Sequence, residues 1–592
     1  MSLEQLITDN IDTWTSTVKT KATTGRGSSK KLELYGVKKL RELILELAVR
    51  GKLVSQDPND EPASVLLERI AEEKAQLVKD KKIKKPKALP EISLDEIPFE
   101  LPKGWEWTHL PNVAHYGPGK TPATKNSTYW DETDTGIPWV SIADLNDNST
   151  VDISTKKVSN TAVEQVFKRS PIPAGTMLMS FKLTVGKVSI LDIDAFHNEA
   201  IISIFPYTGI LQSYLFKVLP SRANSGNKKN AIMGFTLNSE SLSLLTIPVP
   251  PEAEQHRIVA KVDELMTLCD QLEQQTEASI EAHQLLVTTL LDTLTNSANA
   301  EELMQNWQMI AEHFDTLFTT IDSIDQLKQT ILQLAVMGKL VPQDPNDEPA
   351  AKLLERIAEE KAQLIKEKKI KKQKALPPIA DDEKPFELPK GWEWSKAGNI
   401  CNLKGGFAFK SKEFLEEGSS QVIRMGNIRP DNLRLSESSV FIPESTLAQV
   451  QDYQLSAGEI LLTMTGTKGK RDYLYSVLVK EEDVVQQDLY LNQRLCCLQP
   501  ICISPLFINM AIKADSLLDA IYKKSTGTAN QANIGMEAIK NWTLPIPPLD
   551  EQIRVVAKVV QLMETCEQLK VRLRDSQTTQ LHLTNAIVEQ AV

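Results

Sequence analysis

Cysteine is scarce: the 592 residues hold six, at positions 269, 401, 496, 497, 502 and 566, and no two form a C-x-x-C pair. So few exclude a disulfide scaffold and speak against a zinc site. No run of about 18 apolar residues occurs, so no transmembrane helix is expected. The opening stretch MSLEQLITDN carries acidic residues and lacks a basic region followed by an apolar core, so it does not read as a secretory signal. Together these absences point to a reducing cytoplasm. Positive charge is also in deficit, with 67 Lys+Arg against 78 Asp+Glu and a net charge of −11. Taken as an average, that argues against nucleic-acid binding, which needs a basic footprint. Hydrophobic content of 41% and charged content of 24% are those of an ordinary globular chain, long enough for roughly three to five structural units.

What the chain has in abundance is self-similarity. Residues 40–107 align with 327–394 without a gap at an offset of 287, and 53 of the 68 positions are identical. Both copies carry GKLV-x-QDPNDEPA, LLERIAEEKAQL, a lysine run and PFELPKGWEW. A second repeat follows at an offset of 297, where 247–269 (IPVPPEAEQHRIVAKVDELMTLC) resembles 544–566 (LPIPPLDEQIRVVAKVVQLMETC). Two segments of similar length and unlike sequence, 108–246 and 395–543, lie between the copies. This is a tandem duplication, not a solenoid of many short units. The expected division is a helical region with a lysine-rich linker (1–100), a first mixed domain (101–250), a helical spacer with a second lysine-rich linker (251–387), a second mixed domain (388–547) and a terminal helix (548–592).

The repeated parts have helical periodicity. Ile258, Val262, Leu265, Cys269 and Leu272 step by 4, 3, 4, 3, and Val555, Val559, Leu562, Cys566 and Leu569 repeat the pattern. That spacing lays an apolar seam along one helix face, suited to pairing with another helix. Pro250-Pro251 and Pro547-Pro548 mark the helix entrances, with Glu252 or Asp550 favourable in the first turn. A helix over 252–296 would span about 65 Å. A further helix is predicted from about 301 to 337, ending at Gly338, the counterpart of Gly51. Shorter helices should run from Glu61 and Glu348 to the lysine runs, and TTGRGSSKK near position 25 reads as a flexible linker. The unlike segments show Gly and Pro punctuation and short apolar runs (Gly186–Ile190, Ala200–Phe205, Glu459–Met464), the pattern of mixed strand and helix.

Local motifs carry a resemblance. The first unlike segment holds GKTPATKN (119–126), YW (129–130), IPWVSIADL (137–145), PAGTMLMSFKLTVGKVSI (173–190) and HNEAIISIFP (197–206). In the second are KGGFAFKSKEF (404–414), VIRMGNIR (422–429), SAGEILLTMTGTKGKRDY (456–473) and TGTANQANIGMEAIKNWTLPIPPLDEQ (526–552). Across essentially the whole chain this resembles the DNA-specificity subunit of a type I restriction-modification system, although the long arm before the first such domain resembles only some branches of that family. The resemblance implies an α+β fold. Two mixed α/β target-recognition domains would be separated by long conserved helices that pair as an antiparallel coiled coil, with a pseudo-two-fold internal repeat. It also implies double-stranded DNA as the ligand, each domain reading one half of a split, asymmetric site, with no catalytic centre and no cofactor in this chain. Two methyltransferase (modification) subunits carrying S-adenosylmethionine would methylate adenine at N6. Two restriction (translocase/nuclease) subunits would use ATP and Mg2+, in a cytoplasmic complex without a membrane partner.

The residues support this independently. Near-identical frames with unlike inserts make a scaffold that presents two different reading heads, which on B-DNA should sit about one helical turn, ~34 Å, apart. A coiled-coil scaffold or adaptor without DNA function would explain the repeats and acidic helices but not the two Gly-rich inserts. Catalytic signatures are missing: no D/N-P-P-Y/F tetrapeptide occurs, and Pro430-Asp431 is not followed within thirty residues by [DE]-x-K. AHYGPGKT (114–121) fits a loose P-loop pattern with Ala for the first Gly. Pro122 and ATKNS then break the helix start such a loop needs, so a DNA-facing loop is the better reading.

Phosphates call for Lys or Arg, and base edges for Arg, Lys, Asn, Gln, Ser or Thr within groove reach. The DNA-binding candidates in the first domain are Lys120, Thr121, Thr124, Lys125, Asn126, Tyr129, Lys182, Lys187, Asn227, Lys228 and Lys229. Those in the second are Lys404, Lys410, Lys412, Arg424, Asn427, Arg429, Lys468, Lys470, Arg471, Gln531 and Asn533. Trp130, Trp139, Phe407 and Phe409 are expected in the core instead of stacking on bases. The lysine runs at 79–87 and 366–374, six Lys each, suit a solvated helix end, DNA backbone or an acidic partner equally. Cys269 and Cys566 read as small seam residues.

Charge by segment revises the opening inference. Residues 101–250 hold 13 basic and 12 acidic side chains, and 388–547 hold 17 of each. The stretch 252–325 holds 2 basic and 15 acidic. The acidity therefore belongs to the spacer, and the heads are near neutral.

Overall fold

The apolar stripes of the repeat become its frame helices. Tyr35–Val49 buries Val37, Leu40, Ile44 and Leu47, and Ile321–Val336 buries Ile324, Leu327, Ile331 and Leu334 at the same offset. A 3-4-3 spacing keeps four such side chains on one face, each stabilising the fold by about 1.5–3 kcal/mol. Both helices stop at a glycine in the left-handed region, Gly51 at φ 67° and Gly338 at φ 68°. The computed structural model describes all residues except 1–2, 22–30, 84–87, 94–96, 132, 134, 147, 226–228, 232–233, 238, 299, 431 and 529, and no side chains at 20–31, 183, 224–236 and 239. The expected linker near position 25 and the end of the first lysine run lie outside the described residues.

The chain divides into two units. One comprises Met1–Thr23, Lys30–Ala278 and Gln577–Val592, and the other includes Ser279–Ser576. The helix Glu252–Asn296, 45 residues long, starts in the first unit and ends in the second, and Leu549–Ala591, 43 residues long, does the reverse. Ile258, Val262, Leu265, Cys269 and Leu272 are all buried, and so are Val555, Val559 and Cys566. Burial pushes the Cys269 thiol up to about 11 and raises that of Cys566, so both stay protonated seam residues.

Within each unit the long helix is tied along its flank to the frame helix. Arg41 Nη2 meets Asp270 at 2.6 Å and Glu273 at 2.7 Å, and its counterpart Lys328 meets Glu567 at 2.8 Å. The ends of the long helices are also treated alike. Lys339 Nζ donates to the carbonyls of Thr295 (2.8 Å) and Ser297 (3.0 Å), and Lys52 Nζ donates to Val592 O at 2.5 Å. A cation at a helix C-terminus satisfies carbonyls left without intrahelical donors and opposes the negative end of the dipole. Tyr35 OH donates to Asn585 Oδ1 at 2.9 Å, which fastens the chain's last turns to the first unit.

Three expectations change. The single helix over 301–337 is three: Ala300–Glu312, Phe314–Leu317 and Ile321–Val336. Thr320 ends the run by capping the last of them, its hydroxyl accepting from Ser323 N at 3.0 Å. The helices after the QDPNDEP motifs begin at Ala63 and Ala350, behind Pro62 and Pro349, and end at Lys79 and Lys366. Finally, the helices Leu3–Asp9 and Ile11–Ser16 extend the repeat upstream of residue 40. Trp14 of IDTW is fully buried, and Leu317 of FDTL in the second copy is buried, at 5% exposure.

The two heads share a topology built from unlike sequences. In the first, the strands Ala114–Pro118, Ile201–Pro206, Met177–Ser180, Val188–Leu191 and Ser149–Val151 lie side by side in that order, antiparallel except for the last pair. In the second the order is Cys401–Gly405, Leu495–Pro500, Ile460–Thr463 and Ser476–Leu478, all antiparallel. Each head also carries a three-stranded ribbon: Lys229–Ala231, Gly234–Thr236 and Lys182–Leu183 in one, Thr465–Thr467, Gln531–Asn533 and Thr526–Gly527 in the other. Antiparallel pairs close the base of each head, Glu106–His109 with Thr246–Val249 and Glu393–Lys396 with Thr543–Ile546.

Candidate nucleic-acid interface

Repeated motifs that are far apart in sequence meet beneath each head. In the first unit Glu254 of PPEAEQ accepts from Trp105 Nε1 at 2.9 Å and from Gln56 Nε2 at 3.1 Å. In the second, Glu551 accepts from Trp392 Nε1 at 3.0 Å and Gln343 Nε2 at 3.1 Å. Arg257 grips Asp60 at 2.6 Å and Arg554 grips Asp347 at 2.5 Å. Burial raises the carboxyls of Glu254 and Glu551, opposed by the Trp and Gln hydrogen bonds and the adjacent Arg. The neighbouring glutamines turn the chain from head into helix: Gln255 Nε2 donates to Pro250 O at 3.2 Å, and Gln552 Nε2 to Pro547 O at 3.0 Å. QDPND, GWEW and PPxxEQ are therefore three parts of one joint, used twice.

In the first head, Lys120 and Thr121 follow the strand Ala114–Pro118 and lean on the 197–199 loop. Lys120 N donates to His197 O at 2.9 Å, Lys120 Nζ to Val166 O at 2.9 Å, and Thr121 Oγ1 to Glu199. The next regular turn after them is the short Ser127–Tyr129, so no helix begins at the Lys-Thr pair. Asn126 caps that turn, its Oδ1 accepting from Thr128 N at 3.1 Å, and Tyr129 OH donates to Gln165 at 3.1 Å. Thr124 and Lys125 are exposed. Lys182 and Lys229 flank Thr236 in one row of the ribbon, and Lys187 lies in the hairpin beside it. Asn227 and Lys228, and the Lys229 side chain, lie outside the described residues.

In the second head Lys410 and Lys412 are exposed, the former 3.1 Å from Glu413. Lys404 is drawn inward, Nζ donating to Gln454 O at 3.0 Å. Arg424 Nη2 donates to Ser438 O at 2.5 Å, and Arg429 pairs with Glu437 at 2.9 Å. Arg471 pairs with Asp515 at 2.8 Å and also with Asp519. Asn427 departs from the expectation of a DNA contact. It is fully buried, and its amide donates to Arg434 O and Glu437 O while its Oδ1 accepts from Arg424 N. A loop asparagine that satisfies three backbone groups is a structural cap with nothing left to offer a base. Trp139 is buried and meets Trp130 edge-on at 5.1 Å, and Phe407 meets Phe409 at 5.0 Å, so these rings belong to head cores.

The ribbon brings together candidates from two distant stretches. Gln531 lies opposite Thr467 and Asn533 opposite Thr465, with the exposed Lys468 at the strand end. Thr526, on the far side of Asn533, joins the same row and went unrecognised in the sequence. The alternation in QANI was its available signal. Among the described residues no group of His, Cys, Asp and Glu could hold a metal ion, and no helix is long and apolar enough to cross a membrane.

The model of the type I restriction modification DNA specificity domain matches residues 102–282 and 389–575. The EcoAI type I restriction enzyme specificity subunit of Escherichia coli is 43% identical over 618 residues, covering 100% of both chains. Its EcoEI counterpart, also from Escherichia coli, is 42% identical over 613 residues with the same coverage. The crystal structure of an HsdS subunit from Thermoanaerobacter tengcongensis aligns with 84% of this chain and 99% of its own, at 17% identity and a TM-score of 0.38. With the specificity domain matched twice over most of its length and full-length relatives above 40% identity, the chain belongs to the specificity subunits of type I restriction-modification enzymes.

Proposed function

We propose that the first head, 101–250, reads one half of a split, asymmetric DNA site and the second, 388–547, reads the other. The frame formed by 1–100, 251–387 and 548–592 holds two methyltransferase subunits and two restriction subunits in a cytoplasmic complex. S-adenosylmethionine, ATP and Mg2+ belong to those partners, and this chain supplies recognition. The observation that carries the reading is the duplicated joint: the same Trp–Glu–Gln and Arg–Asp contacts stand beneath two heads of unlike sequence. Identical mounts for different readers are what two identical partners and an asymmetric site require.

Charge supports the same division. Near-neutral heads bind phosphate weakly by themselves, so much of the salt-dependent affinity comes from the partners, and the acidic spacer faces protein or solvent. The exposed cations Lys125, Lys412 and Lys468 supply phosphate contacts. Exchanging segment 108–246 for the corresponding head of another specificity subunit is expected to change one half-site completely and leave the other intact. Base-resolved mapping of adenine methylation in cells carrying the partner genes reads this directly. A change in both halves, or in neither, overturns the proposal.

A further inference from the structure

We infer that Gln531 and Asn533 read adenine edges in the half-site of the second head, an assignment that rests on the reading of that head as a DNA-binding domain. The strand Gln531–Asn533 is the middle of its ribbon, between Thr465–Thr467 and Thr526–Gly527. Its residues alternate sharply: Gln531 and Asn533 are exposed, whereas Ala532 is 3% exposed and Ile534 fully buried. One face of the strand is sunk in the head and the other presents two amides. Among the described residues neither amide has a hydrogen-bond partner in the protein. Most other polar candidates in this head are occupied: Arg424, Arg429 and Arg471 by carbonyls or carboxylates, Lys404 by a carbonyl, and Asn427 by three backbone groups.

The platform beneath the amides is fixed. Ile534 N donates to Met464 O at 2.9 Å, Thr467 Oγ1 donates to Asp472 at 2.6 Å, and Tyr522 OH donates to Tyr473 O at 2.7 Å behind the ribbon. Gly466 and Gly527 sit in the row of Ala532, where a Cβ at Gly466 would strike Asp472 and Tyr473. The back of the ribbon is thus packed close, and the backbone carrying the amides has little freedom to adjust.

The chemistry follows from the side chains. A primary amide presents a donor and an acceptor side by side, which matches the N6 donor and N7 acceptor of adenine in the major groove. Residues i and i+2 on one strand stand about 6.8 Å apart, roughly two base-pair steps of ~3.4 Å, so a strand laid along that groove can set both amides against base edges. Lys468, exposed at the ribbon end, is placed to meet the neighbouring phosphate instead of a base.

The test uses the full chain assembled with its modification subunits and maps methylation on genomic DNA. Gln531→Ala and Asn533→Ala are each expected to relax discrimination at an A·T pair in one half-site by about 10- to 100-fold, with the other half-site unchanged as an internal control of folding. Lys468→Ala should instead weaken binding evenly across sequences and lower the salt slope. An unchanged recognition sequence in both amide variants overturns the inference, and so does a loss that is uniform over all sequences. Replacing 388–547 by a foreign head separates the two levels. If that exchange changes the half-site while the amide variants do not, only the assignment of Gln531 and Asn533 fails; if the exchange changes nothing, the reading of the head fails with it.

Discussion

Replacing Trp392 by Ala is expected to cost about 3–5 kcal/mol of stability and, with it, methylation at the whole bipartite site. Its indole is buried, edge-on to Phe507 at 6.4 Å, and its Nε1 is one of two neutral donors holding the buried Glu551. Truncation removes the packing and leaves a buried carboxylate with Gln343 as its remaining neutral partner, which places the cost toward the upper end of that range. Because the next residue opens the strand Glu393–Lys396 at the base of the head, the head loses its fixed seat on the frame. Trp105→Ala should do the same to the first head through Glu254. Thermal unfolding of the two variants reads the cost, and methylation of a reporter site at low and high temperature reads its consequence. A loss below about 1 kcal/mol in both variants would show that the joint is not what seats the heads.

The cap glycines give the second large effect. Gly51→Ala and Gly338→Ala are expected to destabilise by about 2–5 kcal/mol, from two separate causes. An L residue in the left-handed region costs ~1–2 kcal/mol. Overpacking adds roughly 1–3 kcal/mol, because the new methyl would overlap Pro102 at Gly51 and Pro389 at Gly338, with Trp105 2.9 Å and Trp392 3.0 Å away. Asparagine tolerates positive φ but is bulkier, so Gly51→Asn separates the causes. Recovery relative to alanine would assign the penalty to backbone conformation, whereas a larger loss in chemical denaturation would assign it to crowding against the Pro-Trp pair.

The frame was legible from sequence because its signals are local. The 4-3-4-3 seam, the capping glycines and the helix entrances at paired prolines each depend on residues within a turn or two of one another. The break between 312 and 321 was legible too, in the capping pair Thr320 and Ser323, but the strong periodicity on either side masked it. The upstream extension of the repeat was hidden by a change of offset, since IDTW at 11–14 matches FDTL at 314–317, 303 residues on, where the adjoining stretch 40–107 keeps 287.

The heads were legible as mixed α and β but not as surfaces. Thr467 and Gln531 are adjacent in the ribbon and 64 positions apart in the chain, and pairing over that span leaves no periodic trace. Polarity alone could not separate Asn427, which caps a loop from inside, from Asn533, which faces out. Only the neighbours of Asn533, alternating between apolar and polar, distinguish it.

The return of Gln577–Val592 to the first unit reverses the usual order in which units are completed along a chain. A chain normally completes its domains from the N-terminus onward. Here the unit that begins first takes its closing segment after the second unit's: Tyr35 and Lys52 wait for Asn585 and Val592. The second unit is complete some sixteen residues earlier. A nonsense codon just after Ser576 would therefore strip the first unit of the segment that holds Tyr35 and Lys52 and leave the second unit whole.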